Sequence, residues 1–199
     1  NQIDAVITGF PAAMNVCKHN PDLQLISEPV DNENTAIAVK KGNDKLLADV
    51  DKIIGELKSD GTLKDMWRRW FKTDLSPYEE VEIKLPQKGE VLKIGTSATR
   101  EPFCFVDANR NITGHDGELA RRIGAKLGRP IEFVDMKFSA LIPSLQSGKV
   151  DLIVAGMTET EERKKSVNFT QMYFANSQKL IVKKIVDEEA ASNNKEIKL

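Results

Sequence analysis

Short apolar runs alternate with amphipathic segments along most of the chain, and this alternation constrains the fold more than any other feature. Strand–helix–strand repetition of this kind is typical of α/β proteins with a largely parallel sheet. The apolar runs predict strands at 4–8, 23–26, 35–40, 91–96, 131–135, 152–155 and 179–183. The intervening patterns predict helices at 44–58, from Thr62 onward, at 116–127 and at 139–147. In the helix that Thr62 is expected to cap, Trp67 and Trp70 fall on the apolar stripe, so we expect both in the core.

Composition and charge give no indication of an electrostatic partner. Lys and Arg total 29 against 30 for Asp and Glu, without a long run of one sign, so we expect no nucleic-acid partner. No apolar stretch approaches the roughly 20 residues of a membrane helix. Cys17 and Cys104 lack ligand-spaced neighbours, so we expect no metal and no cofactor, and two unpaired thiols rather than one long-range disulfide.

The segment 148–170 contains the strongest candidate for a binding site. A buried strand ends at Gly156, a polar helix begins near Thr160, and Arg163 lies in its first turn. Backbone N–H groups, the Thr158 hydroxyl and a guanidinium then surround one point, an arrangement that suits a carboxylate. The alternative is that a threonine caps the helix while Arg163 pairs with Glu159 or Glu162 on the surface.

A second candidate segment spans 95–116. A strand ends at Thr96 and leads into a loop with Ser97 and Arg100, and strand ends are where α/β sheets bind ligands. Phe103 and Phe105 follow at strand spacing, so at least one of them is expected to face the core.

Catalysis is the weakest of the functional hypotheses. His19 and His115 are far apart in sequence, and neither a Ser–His nor a Cys–His neighbourhood is visible. A single histidine without a second ligand is more often a loop or core residue, so we assign His115 no role. We expect a protein that is not an enzyme.

Several motifs make the chain resemble the family 3 extracellular solute-binding proteins, the amino-acid receptors of ABC importers. Residues 91–184 look like the amino-terminal part of the first lobe and carry Pro102-Phe103, Gly114-His115-Asp116, the LIPSL run at 141–145, GKVD at 148–151 and TEER at 160–163. Residues 1–72 look like the carboxyl-terminal part of the family. The resemblance implies a type II periplasmic-binding-protein-like α/β fold, with one complete lobe around a mixed, largely parallel sheet and a second lobe that is only partial.

The order of these parts is reversed relative to the family. The expected organisation is a partial second lobe at 1–33, the carboxyl-terminal part of the first lobe at 34–72, a linker at 73–90, the amino-terminal part of the first lobe at 91–184, and the start of a second lobe or a tail at 185–199. The near-repeat between 35–41 and 178–184 suggests two crossings between lobes, although coincidence is the alternative. Two explanations fit this order: a fragment that spans the junction of two tandem domains, or a circular permutant that lacks a segment. The tandem explanation needs fewer separate events.

The resemblance also implies roles for individual residues. Arg163 corresponds to the α-carboxylate ligand, with Gly156 and Thr158 beside it. Phe138 matches an aromatic that packs on the ligand, and the loop after Thr96 matches positions that read its side chain. The candidate ligand-binding residues are therefore Arg163, Thr158, Gly156, Phe138, Ser97, Arg100 and Phe103. Gly9 departs from the pattern, because members that bind amino acids carry there an Asp for the α-ammonium group.

The expected function is that of an extracytoplasmic solute-binding protein that captures a small polar ligand, an amino acid, for an ABC transporter. Its partners would be that ligand and a membrane permease, and its location periplasmic or extracellular, with membrane tethering as an option. The alternatives are a ligand-sensing domain of a receptor such as a histidine kinase, which would act on a signalling domain, and a regulatory domain of a cell-wall lytic enzyme. The incomplete lobe predicts weak binding and could drive self-association.

Overall fold

A computed structural model describes residues 4–26, 31–72 and 76–184, and the expected tail or second-lobe start at 185–199 lies outside these residues. The strands are β1 Ala5–Gly9, β2 Leu23–Leu25, β3 Asp31–Thr35, β4 Ala38–Lys40, β5 Leu92–Thr96, β6 Thr99–Arg100, β7 Cys104–Val106, β8 Ile112–Thr113, β9 Ile131–Asp135, β10 Leu152–Ile153, β11 Val167–Phe169 and β12 Phe174–Lys183. The helices are α1 Phe10–His19, α2 Asp44–Ser59, α3 Thr62–Trp70, α4 His115–Leu127, α5 Leu141–Gln146 and α6 Glu161–Lys164, with a 3₁₀ turn at Phe138–Ala140.

The first lobe is built on a five-stranded sheet in the order β11-β4-β10-β5-β9. β5 runs parallel to β9 and β10, whereas β4 runs antiparallel to β10 and β11. The sheet is therefore mixed, and helices flank it, as the predicted α/β class requires. β4 comes from the amino-terminal third of the chain and fits between two strands of the later segment, so residues far apart in sequence form one sheet.

Apolar side chains from both segments share the lobe's core. The apolar stripe of α2, with Val50 and Ile54, packs in one cluster with Ile94 of β5 and Leu119 of α4. On the other face, α5 buries Leu141 and Leu145 against Val150 and Ile153. Burial of this many aliphatic side chains is the main stabilising term for the lobe, because each contributes roughly 1.5–3 kcal/mol relative to exposure.

A buried charged cluster joins α3 to α4. Glu118, which is 3% exposed, accepts hydrogen bonds from Arg69 at 2.6 and 2.8 Å, from the indole N–H of Trp70 at 2.7 Å, and from Arg122 at 2.8 and 2.9 Å. Burial alone would raise the pKa of Glu118, but these donors outweigh it and hold the pKa below its usual value. The carboxylate is therefore ionised and fully engaged.

The second sheet has the order β1-β12-β2, and β3 pairs with the first half of β12. β12 is ten residues long, longer than the predicted strand at 179–183, because β3 extends its pairing back to Phe174. Phe174 belongs to the first-lobe core, whereas Val182 pairs with β1 and β2. β12 therefore runs from the core around the first sheet into the second sheet.

The single strand predicted at 35–40 is wrong. β3 ends at Thr35 in the second sheet, and β4 begins at Ala38 in the first. Between them, the N–H of Ala36 donates to Met157 O at 3.1 Å, and the N–H of Ile37 donates to the Thr170 hydroxyl at 3.2 Å. These long-range bonds break the strand where the chain changes sheets, and local sequence does not encode them.

The predicted linker packs against the first lobe where the structure describes it, from residue 76 onward. No regular element occurs at 76–90, and the Tyr78 ring lies 5.2 Å from Trp70 and 5.7 Å from Phe105. The Tyr78 hydroxyl donates to Glu101 at 2.7 Å. This segment is thus an irregular strap that covers the edge of the aromatic core.

Several local predictions need correction. Trp70 is buried, but Trp67 is 44% exposed, because it lies at the edge of the α3 stripe. Gly61 in a left-handed conformation, not Thr62, is the residue before the first turn of α3. The helix predicted at 139–147 begins as the 3₁₀ turn at Phe138 and becomes α-helical at Leu141. Cys17 and Cys104 are both free thiols, as predicted.

Candidate functional site

The candidate site is centred on the turn that follows β10. The chain is buried from Leu152 to Met157 and becomes partly exposed at Thr158. Gly156 has φ +57°, and a Cβ atom there would lie 3.3 Å from a guanidinium nitrogen of Arg100 and 3.6 Å from the Phe103 ring. The absence of a side chain at Gly156 therefore allows the Arg100 loop to approach the turn closely.

Arg163 is held against the next residues of this turn. The Thr160 hydroxyl caps α6 by accepting from the Arg163 N–H at 3.2 Å, as the sequence predicts. Nη1 of Arg163 donates to Thr158 O at 2.7 Å, and the guanidinium carbon lies 5.3 Å from the centre of the Phe138 ring. The backbone and an aromatic ring thus fix the orientation of the guanidinium together.

Glu159 and Glu162 were the alternative partners for Arg163. Glu159 pairs with Lys164, and Glu162 pairs with Lys165 at 2.9 Å. Thr160 caps α6, and Arg163 is nevertheless held on the turn. Helix capping by a threonine and a ligand-binding position for Arg163 are therefore compatible.

Arg100 also approaches this turn. It ends β6, its Nη1 donates to Gly156 O at 3.3 Å, and its guanidinium carbon lies 5.5 Å from the centre of the Phe103 ring. Ser97 is buried at the start of the same loop, with its hydroxyl 3.5 Å from that of Thr99. The structure therefore brings Arg100, Phe103 and Gly156 together, while Ser97 lies next to the Arg100 loop.

Phe103 is a core residue beneath the site. Only 2% of it is exposed, and its ring lies 5.1 Å from Phe71 and 5.4 Å from Phe174. Phe105 is partly buried beside Trp70, so the expectation that at least one of the two faces the core is confirmed. Phe103 supports Arg100 and presents no open face to a ligand.

A buried polar cluster behind the site was not predicted. The Tyr173 hydroxyl donates to Asp116 Oδ1 at 3.0 Å, and His115 Nδ1 lies 3.1 Å from the same oxygen. Burial raises the pKa of Tyr173, the Asp116 charge raises it further, and the Gly156 backbone acts in the opposite direction. His115 is thus a core residue, and Tyr173 supports the turn from its buried side. No local periodicity marks Tyr173, which is 57 residues from Asp116.

Neither a group of metal-binding side chains nor a membrane-spanning helix is found among the described residues. Within 4–26, 31–72 and 76–184, His, Cys, Asp and Glu form no group of three that could hold a metal ion. None of the helices in those ranges has the length and apolarity needed to cross a bilayer.

Comparison with known proteins gives one family match. The sequence model of the bacterial extracellular solute-binding proteins, family 3, matches residues 92–197. The Bacillus subtilis (strain 168) arginine-binding extracellular protein ArtP is 44% identical over 93 residues, which are 47% of this chain and 36% of that protein. ABC transporter arginine-binding protein 1 of Escherichia coli (strain K12) is 40% identical over 95 residues, 48% and 39% of the two chains.

Solved structures give similar partial matches. The arginine-bound form of domain 1 from TmArgBP is 46% identical, covers 47% of this chain and 80% of its own, and has a TM-score of 0.42. The chain spans little more than a third of the length of the two sequence relatives, 36% and 39%.

Proposed function

Because the chain belongs to the family 3 bacterial extracellular solute-binding proteins, we propose that it captures a free amino acid by its α-carboxylate, with Arg163 as the principal ligand. Proteins of this family bind solutes and are not catalytic. The observation that carries the proposal is the fixed guanidinium at the turn: Arg163 donates to Thr158 O at 2.7 Å and lies over the Phe138 ring.

The physical chemistry of these groups supports carboxylate capture. A planar guanidinium binds a carboxylate through two parallel hydrogen bonds, which fix both position and orientation. Because Phe138 and Thr158 already hold the Arg163 side chain, less of its conformational entropy is lost on binding. Gly156 adds backbone groups and Thr158 a hydroxyl beside the carboxylate, and the loop with Ser97 and Arg100 would contact the rest of the ligand.

The names of the relatives support the ligand class and the partner. Both are called arginine-binding proteins, one is called extracellular, and one is assigned to an ABC transporter. We therefore propose that the chain works outside the cytoplasm and delivers an amino acid to a permease. Transport is favoured over the sensory and lytic-enzyme alternatives on this basis. Membrane tethering and self-association through the second sheet are compatible with the same role.

The domain organisation is part of the proposal. We infer that 34–72 and 91–184 form one lobe, that 73–90 connects them, and that 1–33 contributes to a second lobe. The antiparallel insertion of β4 beside β10 and the Arg69–Glu118 bonds support this assignment. A junction between tandem domains accounts for the order.

Thermal unfolding of the chain with each common amino acid tests the proposed site. A ligand that binds only the folded state raises the unfolding temperature, so a few amino acids are expected to stabilise the wild type. Arg163→Ala should abolish this shift. Lys165→Ala, which removes one exposed positive charge from the end of the same turn, should retain it. Equal stabilisation of wild type and Arg163→Ala would contradict the proposal.

A further inference from the structure

We propose that the site selects an amino acid with an acidic side chain, and that Arg100 binds the side-chain carboxylate. This inference rests on the proposed function, because it takes Arg163 as the ligand of the α-carboxylate. It assigns the second guanidinium at the turn a role in specificity.

The two guanidinium groups are anchored to carbonyl groups of one short turn. Arg100 donates to Gly156 O at 3.3 Å, and Arg163 donates to Thr158 O at 2.7 Å. The two carbonyl groups belong to residues two apart, whose Cα atoms lie within about 7 Å of each other. The two residues that anchor the cations are therefore close together, and in the proposed complex one ligand contacts both guanidinium groups.

The electrostatic surroundings of Arg100 favour an anion. Within the part of the chain that the structure describes, its guanidinium donates to one neutral carbonyl, at a long distance, and contacts no carboxylate. Arg100 is partly buried against Phe103, so solvent only partly compensates its charge. A ligand carboxylate would supply two charge-assisted hydrogen bonds and the missing counter-charge.

The nearby carboxylates have other partners. Asp135 accepts from the Ala98 N–H at 2.9 Å, at the start of the Arg100 loop. Glu101 accepts from the Tyr78 hydroxyl at 2.7 Å, and Glu159 pairs with Lys164. Asp116 Oδ2 has no hydrogen-bond partner among the described residues, but Asp116 is only 1% exposed, so a ligand does not reach it. A cationic ligand side chain would therefore meet Arg100 without an accessible carboxylate to balance it, and like charges in contact discriminate strongly against such a ligand. The chain should differ in specificity from the relatives named for arginine.

Calorimetric titration of the 199-residue chain tests this inference. Sodium glutamate, sodium aspartate, glutamine and arginine hydrochloride are compared at matched ionic strength, against wild type, Arg100→Gln and Arg110→Gln. Arg110 lies in the exposed β7–β8 turn and is the matched control. Glutamate or aspartate should bind wild type at least about tenfold more tightly than glutamine or arginine. Arg100→Gln should weaken binding of the acidic ligand by about tenfold or more, whereas Arg110→Gln should leave it unchanged.

The outcomes separate the two proposals. Tighter binding of arginine or glutamine than of either acid, or acid binding that is unaffected by Arg100→Gln, would overturn the acidic-ligand inference. If that binding is still lost in Arg163→Ala, the proposed function stands. Binding of no amino acid, or binding indifferent to Arg163→Ala, would overturn both.

Discussion

Replacing Glu118 with alanine is expected to lower the free energy of unfolding by about 3–5 kcal/mol. The change removes the acceptor shared by Arg69, Trp70 and Arg122, and among the described residues it leaves the buried Arg69 guanidinium with Asp65 as its remaining counter-charge. A buried charge that loses its main partner incurs most of its desolvation penalty. Urea denaturation followed by circular dichroism measures the loss.

Two comparisons make this test specific. Glu56→Ala removes an exposed carboxylate paired with Lys126 and should have a much smaller effect. The double variant Arg69→Met with Glu118→Met should recover part of the stability, because it removes the buried Arg69 charge together with its partner, although Arg122 and the Trp70 indole N–H still lose their acceptor. Similar losses for Glu118→Ala and Glu56→Ala would contradict the buried cluster.

The same cluster has a defined pH dependence. The folded-state pKa of Glu118 is lowered, so its stabilising contribution is present above the unfolded-state pKa and is lost as the pH falls through the folded-state pKa. The stability difference between wild type and Glu118→Gln should therefore narrow below about pH 4.

Gly114→Ala is expected to destabilise the first lobe by about 3 kcal/mol. Gly114 has φ +104°, and a Cβ atom would lie 2.5 Å from Phe103 O and 2.9 Å from Pro102 O. These carbonyl groups cannot easily move, because they accept from Asp116 N at 2.8 Å and His115 N at 3.0 Å. Chemical denaturation reports the change.

Gly128→Ala is the matched control for Gly114→Ala. Gly128 also has a positive φ, +68°, but nothing lies within 4 Å of the added Cβ atom. Only the conformational cost of about 1 kcal/mol is then expected. Equal losses of stability in the two variants would contradict the close packing of the Phe103 loop against the start of α4.

Local patterns in the sequence predict most regular elements of the first lobe. The helix predicted at 44–58 is observed at Asp44–Ser59, and the strand at 131–135 is observed with the same bounds. In both elements, the spacing of the apolar side chains fits a single type of secondary structure, and residues that end such elements lie at the boundaries. The strand at 35–40 fails because its break depends on Met157 and Thr170, more than 100 residues away in sequence.

The site shows the same division between local and long-range information. The cap at Thr160 and the position of Arg163 after a buried strand follow from adjacent residues. The stacking of Arg163 on Phe138, the approach of Arg100 to Gly156 and the burial of Phe103 depend on how separate segments pack. The Tyr173–Asp116–His115 cluster likewise joins residues that no spacing in the sequence relates.

Binding of an amino acid's α-carboxylate at the turn 156–163 can be observed residue by residue in an NMR titration. Backbone amide shifts are followed with glutamate and 4-aminobutyrate, and with arginine and agmatine, so that each amine lacks only the α-carboxylate of its partner. We expect shifts centred on 156–163 with at least one of the two amino acids, and no comparable shifts with either amine. Equivalent shifts at this turn from an amine and its parent amino acid, or shifts confined to another region, would contradict it.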